Sequence, residues 1–187
     1  MRKGERKAKK KKRLLKLPVK TIRRQGKYWS TVYSFLFRGV GEMKHGDYMI
    51  HVFIEKAKEI QVPENSTVDP IVFVESMGLK TFSSAKDDIG GLAEISWNEH
   101  LFIEPRGVDK KDAEKGKILI RLMDKGIFKD AMIGQFEFDL SFIYFMKDHT
   151  LLHKWLALSN PNSENFSEIS AYLKVSISVA ASGDEQI

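Results

Sequence analysis

The sequence predicts an all-β fold, an eight-stranded antiparallel β-sandwich with one short helix and a basic N-terminal extension. Three observations lead to this prediction. From Asp47 onward, apolar residues recur with a period of two in eight short stretches, the pattern of strands with one buried face. Loops rich in Gly, Pro, Asn, Asp and Lys separate these stretches, and only one stretch suits a helix. A chain of 187 residues with 42% hydrophobic content can bury one good core.

The first three predicted strands show the period most clearly. Residues 47–57, DYMIHVFIEKA, place four apolar side chains on one face: Tyr48, Ile50, Val52 and Ile54. Residues 69–76 and 79–86 form the next two strands, and Met77-Gly78 between them is typical of a hairpin turn.

Five further strands complete the predicted sandwich. They occupy residues 95–104, 116–124, 131–140, 153–159 and 171–180. One helix is predicted between the sixth and seventh strands, where it begins after Asp139, a good N-cap, and continues through LSFIYFMK. Many short strands and few helices favour an antiparallel sandwich or barrel over a parallel α/β sheet.

The composition excludes several classes of protein. The chain has no cysteine, so it has no disulfide framework, no thiolate nucleophile and no cysteine-bearing metal site. Its longest apolar stretches fall short of the about 20 residues that cross a bilayer, and residues 1–16 lack the apolar core of a signal peptide. A cytoplasmic or cytoplasm-facing location fits this composition best.

The net charge of +6 is unevenly distributed along the chain. Residues 1–24 hold 13 of the 31 Lys and Arg and one acid, Glu5, which gives this tail a charge of +12. Residues 25–187 carry the other 18 bases and 24 acids, so the body has a charge of −6. The basicity that would attract a polyanion therefore belongs to the tail alone.

The tail at residues 1–24 is predicted to be disordered when free, because it combines much like charge with little apolar content. Three roles stay open: a solvated linker, an arm that binds anionic lipid headgroups, and an arm that binds nucleic acid. Each Lys or Arg near an anionic membrane contributes about 1 kcal/mol of attraction. Contacts with nucleic-acid phosphates are not sequence-specific either, so the composition of the tail does not distinguish a lipid from a nucleic acid. The residues concerned are Lys9, Lys10, Lys11, Lys12, Arg13, Arg23 and Arg24.

A connecting segment at residues 25–46 is rich in aromatic residues between Tyr28 and Phe37 and then in glycine. It could add a strand or short helix to the body, or form half of an interface, because exposed aromatic patches are rare on monomers. The core signature of a common RNA-binding sheet is missing from it.

The later segments carry a resemblance to a known family. Asp69-Pro70 opening a strand, SWNEHLFIE at residues 96–104 and LIRLMDKGIFKDAMIGQF at residues 119–136 resemble, in that order and spacing, a C2 domain. IGQFEFDLSFIY, HKWLALSNP and AYLKVSISVAASGDE resemble the ferlin family, most closely its second C2 domain from the N-terminus. The resemblance covers residues 47–185 and implies the C2 topology whose first strand leads into the loop ending at Asp69.

Ferlins are large cytoplasm-facing proteins with several C2 domains and a C-terminal membrane anchor. The resemblance therefore implies a fragment: one non-catalytic C2 module that acts peripherally in vesicle trafficking, membrane fusion or exocytosis. The expected partners are an anionic phospholipid membrane and other domains of the larger protein, whose anchor this chain does not include. We expect no small-molecule substrate, and we expect a membrane in preference to nucleic acid as the partner.

Calcium-binding C2 domains draw about five acidic side chains from two loops, because the ion takes about six to eight oxygen ligands. By the resemblance, Asp69 matches the second ligand of the first loop. The first ligand should lie where this chain has Pro63, and the neighbouring Glu64 offers the nearest carboxylate. The first loop therefore has one carboxylate at a matching position and another that is one position away from the expected one.

The second loop departs further from the calcium pattern. Asp124 matches its first ligand, but Gly126 stands where an acid is expected, and Asp130 lies one position off register. Lys125 and Lys129 add positive charge where a cation would bind. No cofactor is therefore required, and we expect calcium dependence to be weak or absent. The aspartates could instead cap the loops with Asx-type hydrogen bonds, and weak calcium binding aided by lipid phosphate stays possible.

The tip of the same loop favours membrane contact. Ile127 and Phe128 form an apolar wedge between Lys125 and Lys129, so the apolar side chains could enter the headgroup region while the ammonium groups meet lipid phosphates. The alternative is that Phe128 folds back onto the sandwich.

No enzyme is predicted, because no catalytic constellation is recognised. His149 and His153 have the spacing of a zinc-protease helix, but Thr150 replaces the glutamate that serves as general base, so we assign them to packing at a helix end. His51 and His100 are placed on strands, and Trp97, Trp155 and Tyr144 in the core. Two rival functions stay open, a protein-interaction module that uses the acidic body and nucleic-acid binding by the tail.

Overall fold

The computed structural model describes residues 42–62, 64–91, 93–163 and 168–184. Within these residues the chain forms two four-stranded antiparallel sheets, which confirms the predicted sandwich. The strands are β1 (Tyr48–Lys58), β2 (Pro70–Ser76), β3 (Leu79–Phe82), β4 (Ile95–Ile103), β5 (Lys117–Asp124), β6 (Ala131–Asp139), β7 (Thr150–Leu158) and β8 (Ala171–Ala181).

One sheet has the order β4-β1-β8-β7 and the other the order β3-β2-β5-β6. Strand β1 leads into the loop that ends at Asp69, as the resemblance implied. Four connections meet at one end of the sandwich, which we call the loop end: 59–69, 83–94, 125–130 and 159–170. At the opposite end, the hairpin end, lie the turn at 77–78 and the connections 104–116 and 140–149.

The core lies between the two sheets and follows the predicted alternation. In β1, all four residues assigned to the inner face are buried: Tyr48, Ile50, Val52 and Ile54. Val72 and Val74 of β2, in the other sheet, are fully buried. Trp97 and Tyr144 are also buried, as expected, and the Trp97 indole N–H donates to the carbonyl of Ser84 at 2.8 Å.

The assignment of Trp155 to the core is wrong, since Trp155 keeps 37% of its surface exposed. Its neighbours Leu156 and Leu158 illustrate the reason. Leu156 and Leu158 point inward and are buried, so the alternation of β7 directs Trp155 to the outer face of its sheet.

Two strands have bounds that differ from the prediction by more than one residue. Strand β3 ends at Phe82, because at Ser83 the ladder becomes irregular: the Ser83 N–H still donates to the Val72 carbonyl, but the Val72 N–H donates to the Ser83 hydroxyl. Strand β7 begins at Thr150 and includes His153, whose backbone N–H donates to Ser176 Oγ at 2.9 Å. The assignment of His153 to a helix end is therefore wrong.

The helical segments also refine the prediction. Helix α1 (Lys110–Lys115) was not predicted, since its one polar turn buries only Ala113 and has no apolar periodicity. Helix α2 (Leu140–Tyr144) confirms the predicted helix but is shorter, and a 3₁₀ turn at Lys147–His149 follows it. Asp139 stands at the N-cap, but its carboxylate binds the Lys117 ammonium instead of a helix N–H.

Residues before Asp47 pack against the hairpin end. Met43 is fully buried, Gly46 pairs with Val108, and the Lys44 ammonium binds the carboxylate of Asp184. The tail at 1–24 and the connecting segment as far as residue 41 lie outside the described residues, so the proposed division of the chain stays a prediction. In the described part of the chain, no helix is long and apolar enough to span a membrane.

Candidate functional site

The loop end brings together Asp69 and Asp124, the two carboxylates that the resemblance matched to ligand positions in two loops. Pro70 and Asp124 are partners in the ladder between the central strands β2 and β5, which places the two aspartates at the same end of the sheet. The backbone N–H of Asp69 donates to Asp124 Oδ1 at 2.8 Å, and the N–H of Lys125 donates to the Asp69 carbonyl at 2.9 Å. These bonds hold the start of the 125–130 loop against the end of the 59–69 loop.

Asp69 also reaches a third loop. Its Oδ1 atom accepts the backbone N–H of Asp88 at 2.8 Å, and Val68 and Ile89 beside them exchange backbone hydrogen bonds of 3.0 and 2.9 Å. Asp69 therefore ties the 83–94 loop to the other two. Sequence reasoning missed the part played by Asp88, because its loop partner is 19 residues away along the chain.

Asp130 closes the 125–130 loop on itself. Its Oδ1 atom accepts the N–H of Gly126 at 3.2 Å. A Cβ atom on Gly126 would lie 2.2 Å from the Lys129 carbonyl oxygen, well inside any normal contact. The backbone of this loop therefore leaves no room for the acidic side chain that a calcium-binding loop would carry at this position.

The described residues of the loop end do not fit a calcium cage. One oxygen each of Asp69, Asp124 and Asp130 already accepts a backbone N–H, while Glu64 is exposed on the 59–69 loop. Over the residues that the structure describes, no group of three or more His, Asp or Glu side chains is arranged to hold a metal ion. Calcium requires several converging carboxylates, and the described residues do not provide them.

The tip of the 125–130 loop is fully open to solvent. Ile127 is 95% exposed and Phe128 is 100% exposed, and Lys125 and Lys129 on either side are exposed as well. Phe128 does not fold back onto the sandwich, which was the alternative considered from the sequence. Membrane contact through this tip stays a prediction. The exposed side chains of Ile127 and Phe128 are placed where such contact requires them.

A row of four rings, which we call the ring ladder, crosses the outer face of β1 and β4. His51 stacks on Phe102 and on His100, and His100 stacks on Phe53, with ring centroids 4.4 to 5.0 Å apart. His51 Nε2 and His100 Nδ1 lie 2.8 Å apart. Burial, and then the nearby His100, lower the pKa of His51. The alternation of apolar residues predicted that both histidines lie on strands. The stacking of their rings follows only from the register between β1 and β4.

A second outer-face cluster, which we call the Trp155 cluster, consists of Trp155, Tyr172 and Lys58. The Lys58 ammonium lies 5.2 Å from the Trp155 ring centroid and 5.6 Å from that of Tyr172. Lys58 and Tyr172 pair across β1 and β8, both next to the loop end. Sequence reasoning missed this cluster because it placed Trp155 in the core.

The basic residues of the tail, from Lys9 to Arg24, lie outside the described residues, and their predicted roles stay predictions.

Comparisons with known proteins bear on the sequence and on the fold separately. No family model matches the chain. A stretch of 69 residues is 36% identical to myoferlin of Xenopus tropicalis and covers 36% of this chain and 4% of that protein. A stretch of 56 residues is 38% identical to myoferlin of Mus musculus, covering 30% of this chain and 3% of that protein. The similarity thus spans only a few per cent of the length of these relatives.

Solved structures share the fold at low sequence identity. A structure of two C2 domains of Extended-Synaptotagmin 2 matches with a TM-score of 0.56 and 13% identity, over 73% of this chain and 40% of that chain. A C2 domain of plant Extended Synaptotagmin 1 matches with a TM-score of 0.54 and 13% identity, over 73% of this chain and 96% of that chain. Human GIVD cytosolic phospholipase A2, in complex with an inhibitor, matches with a TM-score of 0.54 and 15% identity, over 75% of this chain and 18% of that chain. The fold is that of a C2 domain, and part of the chain is similar to ferlins.

Proposed function

We propose that this chain is a non-catalytic membrane-binding C2 module of a ferlin-like protein, corresponding to the second C2 domain from the ferlin N-terminus. In this proposal it acts in vesicle trafficking, membrane fusion or exocytosis, peripherally at the cytoplasmic face of a membrane. The observation that carries the proposal is the loop tip, where Ile127 and Phe128 are 95% and 100% exposed between two lysines.

The loop tip alone would bind a membrane weakly. Burying Phe128 among lipid chains contributes about 1.5 to 3 kcal/mol, whereas even millimolar affinity requires about 4 kcal/mol. Stable peripheral attachment generally requires two signals. The tail at residues 1–24, with its charge of +12, supplies a second signal of the electrostatic kind.

The charges of the loop end assign different tasks to these two signals. Five aspartates lie on its loops or at their edges: Asp69, Asp87, Asp88, Asp124 and Asp130. They outnumber the lysines Lys86, Lys125 and Lys129 and would repel anionic lipid. We therefore assign the preference for anionic phospholipid to the tail and the apolar contact to the loop tip.

Direct calcium dependence is weak or absent in this proposal. Asp69, Asp124 and Asp130 serve as acceptors for backbone N–H groups, which supports the Asx-type capping that the sequence left as an alternative. The backbone of Lys129 also excludes a side chain at position 126.

Co-sedimentation with liposomes tests the proposal. The variant Phe128→Asp should lose most binding, while Leu79→Asp, which changes an apolar residue 45% exposed at the hairpin end, should bind as the unaltered protein does. Calcium and a chelator should give nearly the same binding of the unaltered chain. Equal binding by both variants and the unaltered chain would overturn the proposal.

A second candidate function is a protein-interaction module. The ring ladder favours it, because Phe102 keeps 51% of its surface exposed on an outer sheet face. The two functions separate in one measurement: a protein-interaction module would ignore liposomes but bind another segment of a ferlin-like protein, and Phe102→Ser would weaken that binding.

A further inference from the structure

We propose that the Trp155 cluster is a second lipid contact, which lies in the headgroup region and is continuous with the 125–130 loop. This inference rests on the proposed function and adds an orientation to it. The module would lie inclined on the bilayer, with the edge where β6 meets β7 turned toward the lipid, so that the tip carrying Phe128 and the side carrying Trp155 touch it together.

The Trp155 cluster has the composition of an interfacial anchor. Trp and Tyr are enriched where a membrane meets water, because each combines an apolar ring with one polar group. A lysine beside them can lay its alkyl stem on apolar surface and direct its ammonium to phosphate. In the cluster, the Lys58 ammonium already lies near the two ring faces, at 5.2 and 5.6 Å.

The indole of Trp155 is open to a partner, unlike that of the other described tryptophan. Trp97 is buried, and its N–H donates to the Ser84 carbonyl at 2.8 Å. Trp155 keeps 37% of its surface exposed, and its indole N–H donates no hydrogen bond to another described residue. A phosphate or glycerol ester oxygen of a lipid would supply an acceptor.

Backbone and side-chain contacts join the end of β7 to the start of β6. Gln135 and Ser159 exchange backbone hydrogen bonds of 2.9 and 3.3 Å, and the Asn160 side-chain amide donates to the Met132 carbonyl at 2.8 Å. Met132 lies two residues after Asp130, which closes the loop with the exposed tip. The 125–130 loop and the end of β7 therefore border one continuous surface.

The charges around the cluster suit a headgroup contact without strong preference for anions. Glu59 lies 3.0 Å from Lys58, and Glu55 and Glu94 pair with two further lysines of the same face, Lys174 and Lys56. Lys154, next to Trp155, is exposed. The contact would therefore add affinity and orientation, while the tail selects anionic lipid.

Intrinsic fluorescence tests the inference in the full chain. The variant Trp29→Phe retains two tryptophans, Trp97 and Trp155, and tryptophan emission is recorded. It is mixed with vesicles of phosphatidylcholine and phosphatidylserine that carry bromine on the upper acyl chain, and binding is measured by co-sedimentation in the same samples. One control adds Trp155→Phe, which leaves the buried Trp97 alone. A second control further adds Leu79→Trp, which places the probe at the hairpin end.

We expect the bromolipid to quench the emission of vesicle-bound Trp29→Phe protein and to leave both controls unquenched. We also expect Trp155→Ala to weaken vesicle binding about fivefold, since the indole is already two-thirds covered and about 1 kcal/mol remains to be gained. If Trp155→Ala fails to fold, the quenching comparison decides alone.

Two results would overturn the inference. The first is bound Trp29→Phe protein whose emission changes no more than that of the Trp97-only control, and the second is equal quenching of the probe at position 79. Either result combined with loss of binding in Phe128→Asp would leave the proposed function standing. Absence of vesicle binding by every variant and by the unaltered chain would overturn the proposed function and this inference with it.

Discussion

The backbone N–H of Asp69 donates a hydrogen bond to Oδ1 of Asp124 across 2.8 Å and so joins two loops that are 55 residues apart in sequence. A carboxylate that caps a neighbouring loop has a structural task with or without a metal ion. We therefore expect the residues that a calcium site would use to contribute measurably to stability.

Asp124→Ala should destabilise the fold by about 1 to 2 kcal/mol, because it leaves the half-buried N–H of Asp69 without its acceptor. Asp124→Asn retains an oxygen acceptor and should cost less. Urea unfolding, followed by circular dichroism, measures both. Equal stability of Asp124→Ala and the unaltered protein would show that the hydrogen bond does not stabilise the loops.

Gly126→Ala should distort the 125–130 loop, since its Cβ atom would lie 2.2 Å from the Lys129 carbonyl oxygen. Because backbone must move to relieve this contact, we expect a cost of about 1 to 3 kcal/mol and weaker liposome binding. Gly90→Ala is the matched control, because nothing lies within 4 Å of its added Cβ atom. If both variants unfold at the same urea concentration, the loop tolerates the side chain and the steric argument is wrong.

A feature of this fold can be predicted from the sequence when the residues that determine it are close together along the chain. The alternation of Tyr48, Ile50, Val52 and Ile54 is local, and it predicted the inner face of β1 correctly. Helix α1 was missed because a single polar turn has no period to detect. The resemblance to a C2 domain identified the loop carboxylates, but their hydrogen-bond partners were not predicted, because Asp88 and Asp69 come from different loops.

The outer faces of the sheets were the least predictable part. Alternation shows which side chains face outward, but register decides which of them meet. His51 contacts His100 only because β1 and β4 pair with Phe53 opposite His100. Trp155 meets Lys58 and Tyr172 across three strands, and no spacing within one strand reports such a cluster.

Phe128→Asp should weaken liposome binding about tenfold or more, because it exchanges an apolar side chain worth about 1.5 to 3 kcal/mol in lipid for a charge. The unfolding midpoint should not change, since Phe128 is 100% exposed and contributes no packing. Leu79→Asp at the hairpin end provides the control. A loss of binding shared by both variants would point to a general effect of added negative charge.

Removing five of the 13 basic charges of the tail should weaken the preference for anionic vesicles. Each of five substitutions removes about 1 kcal/mol of attraction near a charged surface. The variant replaces Lys9, Lys10, Lys11, Lys12 and Arg13 with Gln in the full chain. Binding is compared on anionic and neutral vesicles at two salt concentrations, with Lys111→Gln, an exposed lysine of helix α1, as control. Salt-sensitive RNA binding that disappears in the tail variant, with lipid binding unchanged, would instead support the nucleic-acid role.

Asp184→Asn should reduce the free energy of unfolding at neutral pH by about 2 kcal/mol. It should also make the fall of this free energy in acid less steep. Burial works to raise the pKa of Asp184, but hydrogen bonds from Lys44, the Ala181 N–H and Tyr144 outweigh burial and lower it. Because the folded-state pKa lies below the unfolded value, the carboxylate stabilises the fold above the unfolded pKa, about 4, and this contribution is lost as pH falls through the folded-state pKa.

The expected result is therefore a difference between the two proteins that is constant near neutral pH and shrinks as the pH falls below about 4. Urea unfolding at a series of pH values measures it. Tyr144→Phe serves as the companion variant, because it removes one donor to Asp184, at 3.1 Å, without changing the charge. Its cost should be smaller than that of Asp184→Asn, since the Lys44 ammonium and the Ala181 N–H still bind the carboxylate. A difference that stays the same down to acid pH would show that the stabilisation by Asp184 does not depend on its charge.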